Sequence, residues 1–82
     1  MKDYIEILLD NGSKKKMEVV IIFDIEGYEY HYIIYTELDR SHYYLAKFIG
    51  EEIVDLITKF DEIELKLANN IFKGVIERWK LK

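Results

Sequence analysis

The stretch that decides the fold is residues 28–36, which read YEYHYIIYT. Its side chains fall into two alternating sets, Tyr28, Tyr30, Tyr32 and Ile34 in one and Glu29, His31, Ile33 and Tyr35 in the other. Successive side chains of a strand point to opposite faces, and aromatic and β-branched residues favour strands. We therefore predict a strand over residues 28–36.

Hydrophobic runs of the same kind lie on both sides of this strand. Turn sequences separate them, DNGS at residues 10–13 and IEG at residues 25–27, because Asp, Asn, Gly and Ser tolerate or stabilise turn conformations. The polar residues 37–41 separate the third run from the fourth. The predicted strands are residues 4–9, 17–24, 28–36 and 43–49, and the short connections favour an antiparallel meander.

The period of the hydrophobic pattern changes in the C-terminal third. From residue 63 onward the apolar residues recur at helical spacing and fall within one arc, while Lys66, Lys73 and Glu77 lie outside it. Asp61 and Glu64 have the spacing of a capping box. These features predict an amphipathic helix over residues 61–79 that packs on one face of the sheet.

Residues 51–60 leave two alternatives open. Ile53, Val54, Ile57 and Phe60 would continue the helical stripe, so that one long helix could begin near Gly50. The β-branched residues and the turn-like sequence GEE at 50–52 instead indicate a fifth strand over residues 53–58, which we favour.

The predicted fold class is therefore α+β, an antiparallel β-meander of four to five strands with one C-terminal amphipathic helix packed on one face. The 82 residues suffice for a single domain, 1–82, and the 50% hydrophobic content indicates a packed core. Without cysteine the chain has no disulfide, thiolate metal site or cysteine nucleophile. It shows no secretory signal and no apolar run that could cross a bilayer, so we expect a cytoplasmic protein without a membrane partner.

The charge distribution argues against nucleic acid as a partner. The chain has 12 basic and 16 acidic residues, and the acidic excess lies in its first half. Surfaces that bind nucleic acid are usually basic, because phosphate neutralisation supplies most of the affinity. The only basic run, Lys14–Lys16, is expected at the tip of a hairpin, where it could give weak, salt-sensitive attraction.

The order of these motifs resembles the YrzB-like family of small bacterial proteins, a domain of unknown function. The resemblance extends over roughly residues 4–72. It is carried by the first strand closed by Asp10-Asn11-Gly12, the hairpin Phe23…Gly27-Tyr28-Glu29-Tyr30, the strand Tyr43-Tyr44-Leu45, and Leu56-Ile57 leading to Asp61-Glu62-Ile63-Glu64. The chain differs from the family pattern in its many tyrosines and in lacking a proline after the third strand. The resemblance implies a cytosolic bacterial protein and assigns no catalytic residues.

The residue types that usually carry catalysis form no recognisable constellation. His31 shares a predicted strand face with Glu29, so a His–Glu pair is geometrically possible, but no Cys or His cluster supplies the ligands of a metal site. His42 directly follows Ser41, which is the wrong geometry for a nucleophilic relay. The carboxylate pairs lie at turns and at the helix start, where solvent keeps carboxylates in their ordinary ionised state. We expect no catalytic residue, no cofactor and no metal.

The tyrosines are the remaining functional signal. They are the candidate interaction surface, Tyr28, Tyr30, Tyr32, Tyr35, Tyr43 and Tyr44. Tyrosine is favoured at protein interfaces because it buries a large area while its hydroxyl stays hydrogen-bonded. One helix can cover only one face of the sheet, so we predict a non-enzymatic protein-interaction module that uses a tyrosine-rich sheet face or a sheet edge. Its partner would be another protein or a second copy of the chain. The alternative is a weak nucleic-acid-associated protein that uses the Lys14–Lys16 tip and tyrosine stacking.

Overall fold

A computed structural model describes residues 3–53 and 55–80, with an α+β fold as predicted. Its elements are four strands, β1 (Asp3–Leu8), β2 (Lys14–Asp24), β3 (His31–Glu37) and β4 (Tyr43–Phe48), followed by one helix, α1 (Glu62–Lys80). The strands form one antiparallel sheet in the order β1-β2-β3-β4, so that each strand pairs with the strand before it in the chain. In the middle of β2, the register with β3 shifts between Val19 and Ile21.

The strand register separates two hydrophobic clusters on opposite faces of the sheet. Under the helix lies the helix-side cluster, made of Phe23, Ile25, Tyr28, Tyr30, Tyr32, Leu45, Phe60 and Ala68. On the other face lies the far-side cluster, made of Ile5, Ile7, Met17, Val19, Ile33, Tyr35, Tyr44, Ala46, Phe48, Ile53 and Leu56. Both faces of the sheet are therefore apolar, and α1 covers only one of them.

The third strand begins three residues later than predicted. Asp24 pairs with His31, so residues 25–30 form a six-residue loop between β2 and β3 instead of a tight hairpin. The Tyr28 amide donates to the Ile25 carbonyl oxygen at 3.1 Å, which makes a turn, and Gly27 supplies its positive φ of 91°. Because Ile25, Tyr28 and Tyr30 pack in the helix-side cluster, burial of these side chains favours the loop over continuation of the strand.

The predicted fifth strand over residues 53–58 is wrong, and so is the alternative helix that begins near Gly50. Among the described residues of this segment, only Ile57 pairs with the sheet, in one antiparallel bridge to Lys47. Ile53 and Leu56 pack in the far-side cluster, whereas Phe60 packs in the helix-side cluster. The segment therefore passes around the β4 edge from one face to the other, and its described residues pair with that edge only at Ile57. Val54 lies outside the described residues.

Lys14–Lys16 belong to β2 and do not form a hairpin tip. Their partners in the register are Glu6, Ile7 and Leu8 of β1. The turn residues before them, 9–13, are closed by hydrogen bonds between Leu9 and Ser13 and between Gly12 and Leu9.

The helix presents a narrower face to the sheet than its hydrophobic pattern predicts. Glu64 and Ala68 are fully buried, while an apolar flank, Ile63, Leu67 and Ile71, remains exposed. The helix is thus rotated about its axis so that a glutamate points into the protein.

Candidate functional site

The six tyrosines of the predicted surface do not share one face. Tyr28, Tyr30 and Tyr32 pack in the helix-side cluster, and Tyr43, which is opposite Thr36, points to the same side. Tyr35 and Tyr44 lie in the far-side cluster, where their rings stack with centroids 5.2 Å apart.

Burial limits what these tyrosines can contact. The Tyr32 side chain is completely buried and Tyr35 nearly so, which removes both from any surface open to a partner. The remaining four are partly exposed, but on different sides of the sheet. The prediction of one tyrosine surface is therefore corrected, because the helix covers the face that carries most of these rings.

A buried polar cluster joins the helix to the sheet at the centre of the helix-side face. Its members are Glu64 of α1, Lys47 of β4 and Tyr32 of β3. The Lys47 Nζ atom lies 2.8 Å from Glu64 Oε1 and 3.0 Å from Oε2, and the Tyr32 hydroxyl donates to Oε2 at 2.5 Å. The Glu64 side chain is 2% exposed and that of Lys47 is 7% exposed, so both charges are withdrawn from water.

Glu64 also completes the predicted capping box. The Asp61 amide donates to Glu64 Oε1 at 3.1 Å, and the Glu64 amide donates to Asp61 Oδ1 at 2.7 Å. These reciprocal bonds satisfy two of the amides that a helix start leaves without partners. One carboxylate thus caps its own helix and binds two residues of the sheet.

The hydrogen bonds determine the charge state of this cluster. Burial by itself would raise the pKa of Glu64, but the bonds from Lys47, Tyr32 and the Asp61 amide outweigh it and lower that pKa below its usual value. Burial, together with the bond to the Glu64 carboxylate, strongly raises the pKa of the Tyr32 hydroxyl. Glu64 is therefore ionised and Tyr32 neutral across the physiological range.

Aromatic rings complete the surroundings of Lys47. Its Nζ atom lies 4.0 Å from the centroid of Tyr30 and 5.1 Å from that of Phe60. Cation–π attraction of this kind is stronger where water is excluded. The cluster holds together three structural elements and the loop before β3, which is a structural role.

The sequence predicted Glu64 only as a capping residue and did not single out Lys47. Two signals were present: a glutamate inside the apolar arc of the helix, and a lone lysine in the apolar run 43–49. Charged residues are almost never fully buried unless they are paired, so two such residues on facing elements indicate a buried pair.

A second buried carboxylate, Glu18, lies near the other end of the helix. Arg40 Nε is 3.7 Å from Glu18 Oε1, and the Arg40 guanidinium lies 4.8 Å from the centroid of the Trp79 ring. Arg40 adopts a positive φ of 59° in the turn after β3. It thereby links this turn to β2 and to the end of α1.

A polar cluster near the surface surrounds Glu37. Its carboxylate accepts hydrogen bonds from Lys15 and, at 2.8 Å, from the Ser41 hydroxyl, and His42 Nδ1 lies 3.2 Å away. The bond from Lys15 is the main cause that lowers the pKa of Glu37.

This cluster lacks the geometry of a serine nucleophile. His42 Nδ1 is within hydrogen-bond distance of both Ser41 Oγ and the Glu37 carboxylate. A relay instead needs the hydroxyl on one ring nitrogen and the acid on the other.

His31 pairs with Asp24 and not with Glu29. Its Nδ1 atom lies 2.5 Å from Asp24 Oδ1, and its ring packs against Phe48 with centroids 5.4 Å apart. The pair with Glu29 that the predicted strand made geometrically possible does not form, because Glu29 lies in the loop before β3, whereas Asp24 is opposite His31 in the register.

The described part of the chain has open cavities at its surface. One of them, of about 440 Å³, is bordered by Lys14–Lys16 and residues 37–39. Another, of about 300 Å³, lies beside the irregular part of β2 and Trp79. Residues 3–53 and 55–80 contain no group of three acidic or histidine side chains placed to hold a metal ion. Within the same ranges, no helix has the length and apolar character needed to cross a membrane.

The two edges of the sheet differ. At β4, Lys47 and Ile57 exchange hydrogen bonds of 3.0 and 2.8 Å, so a neighbouring segment protects that edge. At the opposite edge, β2 is the only strand of the described residues that pairs with β1. Two apolar side chains of β1 point outward on the helix side, Tyr4 with 45% and Leu8 with 69% exposure. An open strand with exposed apolar residues is a template for pairing with another chain.

No protein-family model, no curated protein and no solved structure matches this chain. The resemblance to the YrzB-like family stays a prediction.

Proposed function

We propose that this chain is a non-enzymatic protein-interaction module, and that its contact surface is the β1 edge of the sheet. The observation that supports this function is the difference between the two edges: a bridge from Ile57 covers part of the β4 edge, whereas the β1 edge has no bridge among the described residues and exposes Tyr4 and Leu8. The sequence left two alternatives open for the contact surface, a tyrosine-rich sheet face and a sheet edge. The placement of the tyrosines favours the edge.

The composition of β1 also favours an interaction edge. Natural proteins protect open edges with charged side chains, above all lysine, and with prolines or bulges. β1, whose sequence is DYIEIL, has the two acids Asp3 and Glu6 but no lysine, proline or bulge, while the irregular pairing and the three lysines lie in β2. An edge strand with so little protection can bind an added strand through its main chain, with its side chains conferring specificity.

Nucleic-acid binding has less support. Of the three basic residues, Lys15 is paired with Glu37, and Lys16 Nζ lies 4.4 Å from the centroid of Tyr4. The buried or divided tyrosines offer no continuous stacking platform beside them. We also propose that the protein is cytoplasmic. The resemblance to a bacterial family and the absence of cysteine are consistent with that location.

The test compares an edge variant with a matched control. Tyr4→Lys/Leu8→Lys places cations on the open edge, and Leu38→Lys/Ile49→Lys changes two exposed apolar residues that lie outside β1. Each protein is immobilised and exposed both to the purified wild-type chain and to bacterial lysate, after circular dichroism has established that it is folded.

We expect the edge variant to retain at least about tenfold less protein than the wild type. Two charges buried at an edge each cost more than about 1 kcal/mol. The control should retain it. Equal retention by both variants, or no retained protein at all, would contradict the proposed function.

A further inference from the structure

We propose that the partner of the β1 edge is a second copy of this chain. In this arrangement two β1 strands pair antiparallel, with Ile5 opposite Ile5 of the second copy, and join the two sheets into one of eight strands. The inference rests on the proposed function, which requires only that the β1 edge binds a protein.

The alternation of β1 restricts the pairings that are possible. Ile5 and Ile7 pack in the far-side cluster, whereas Tyr4, Glu6 and Leu8 point to the helix side. A two-fold axis perpendicular to the sheet keeps each face continuous across the junction. Residues directly opposite each other must then come from the same face, because a one-residue slip would exchange the faces.

Charge selects one register among those that remain. A pairing centred on Glu6 would put two carboxylates directly opposite each other, which is destabilising. A pairing centred on Tyr4 would include only residues 3–5 of β1, and one centred on Ile7 only residues 6–8. The pairing centred on Ile5 includes residues 3–7 without placing two carboxylates opposite each other, and it places Tyr4 opposite Glu6 of the second copy.

The same register is electrostatically complementary. The Lys16 ammonium already lies over the Tyr4 ring, at 4.4 Å from its centroid. With Tyr4 opposite Glu6 of the second copy, this ammonium comes next to that carboxylate. By symmetry the interaction occurs twice, which adds charge pairing to the main-chain hydrogen bonds of the new strand pair.

The apolar residues of the edge are also self-complementary. Ile5 and Ile7 are only partly buried at the margin of the far-side cluster. Their counterparts in the second copy would extend this cluster across the junction, with Ile5 against Ile5. The exposed Tyr4 would be covered on the helix side by Glu6 of the second copy.

Cysteine cross-linking tests this register directly, because the chain has no cysteine of its own. The variants are Ile5→Cys, Glu6→Cys and, as a matched exposed control, Leu38→Cys. A disulfide requires Cα atoms within about 7 Å, which directly opposite residues satisfy. Position 6 instead lies opposite position 4 in the proposed register.

We expect Ile5→Cys to form a covalent dimer under mild oxidation at least about tenfold faster than the other two variants, because a preformed pair has a high effective concentration. Sedimentation of the wild-type chain should show a dimer that the edge variant Tyr4→Lys/Leu8→Lys abolishes. Faster cross-linking of Glu6→Cys would overturn the register. Equal rates for all three, or a wild-type monomer, would overturn the self-pairing.

The two proposals fail separately. A wild-type monomer that retains another protein, and loses it in the edge variant, would refute self-pairing and leave the interaction function intact. If the edge substitutions change neither self-association nor capture, the proposed function itself fails.

Discussion

Glu64 is the point at which several buried polar contacts of the described residues converge. It accepts hydrogen bonds from Lys47, from the Tyr32 hydroxyl and from the Asp61 amide. Removing water from two charges is costly, and their attraction offsets that cost only when further hydrogen bonds satisfy them. In this cluster the additional donors are present, so both charges can remain buried in a small domain.

Lys47→Met should destabilise the fold by about 3–5 kcal/mol, because it leaves the Glu64 carboxylate buried without its cation. The double variant Lys47→Met/Glu64→Gln should recover most of that loss, because glutamine can still accept from Tyr32 and complete the capping box. Urea unfolding followed by Trp79 fluorescence measures both values. A loss below about 1 kcal/mol in the single variant, or no recovery in the double one, would show that the pair does not act as a unit.

At the scale of the element, the start of α1 depends on Asp61. Its carboxylate accepts a hydrogen bond from the Glu64 amide, while the Glu64 carboxylate accepts one from the Asp61 amide. The acidic residues Glu62 and Glu64 in the first turn also stabilise the helix, because their negative charges lie near the positive end of the helix dipole. The cap therefore sets both where the helix begins and where the Glu64 side chain points.

Asp61→Ala should cost about 1 kcal/mol of stability, because alanine cannot accept the amide hydrogen bond at the N-cap. Asp61→Asn is the matched control, since asparagine caps helices about as well as aspartate. The measurement is the free energy of unfolding, together with helical circular dichroism. Equal losses in the two variants would mean that the charge of Asp61, and not its capping bond, is what stabilises the helix.

At the scale of the whole molecule, the sheet has apolar residues on both faces but only one helix to cover them. The segment 49–60 partly resolves this mismatch by placing Ile53 and Leu56 in the far-side cluster and Ile57 along the β4 edge. The β1 edge has no comparable cover among the described residues. The proposed pairing of two chains would complete at β1 what this segment does at β4.

Stability should be lost at both ends of the pH range. The pKa values of Glu37, Asp39 and Glu64 are lowered in the folded chain, so below about pH 4.5 the unfolded chain binds more protons and stability falls as the pH falls. Burial raises the pKa values of Tyr28, Tyr32 and Tyr35, so above about pH 10 the unfolded chain loses protons first and stability falls as the pH rises.

Urea midpoints measured across this range test the pH dependence, with tyrosinate absorbance as the readout at high pH. Tyr32→Phe should reduce the alkaline slope, because it removes a completely buried tyrosine hydroxyl. An unchanged alkaline slope in Tyr32→Phe would show that Tyr32 titrates normally.

Local patterns in the sequence were enough to determine the fold class, the four strands and the capped helix. Alternation around residues 31–36, turn glycines and the Asp61–Glu64 spacing each act over a few neighbouring residues, so they can be recognised without knowing the rest of the fold. The sequence also supplied both alternatives for the contact surface, a tyrosine face or a sheet edge.

Only the tertiary structure decided where residues distant in the chain meet. Tyr32, Lys47 and Glu64 come from three elements, and their pairing depends on the rotation of α1 about its axis. The hydrophobic arc of the helix is too wide to determine that rotation by itself. Ile57 looked like part of a strand because it is β-branched, but the competing burial of Ile53 and Phe60 on opposite faces reduced that strand to one bridge. The open β1 edge could not be predicted for the same reason. The residue pattern of a strand shows that the strand pairs, but not whether it pairs on one side or on both.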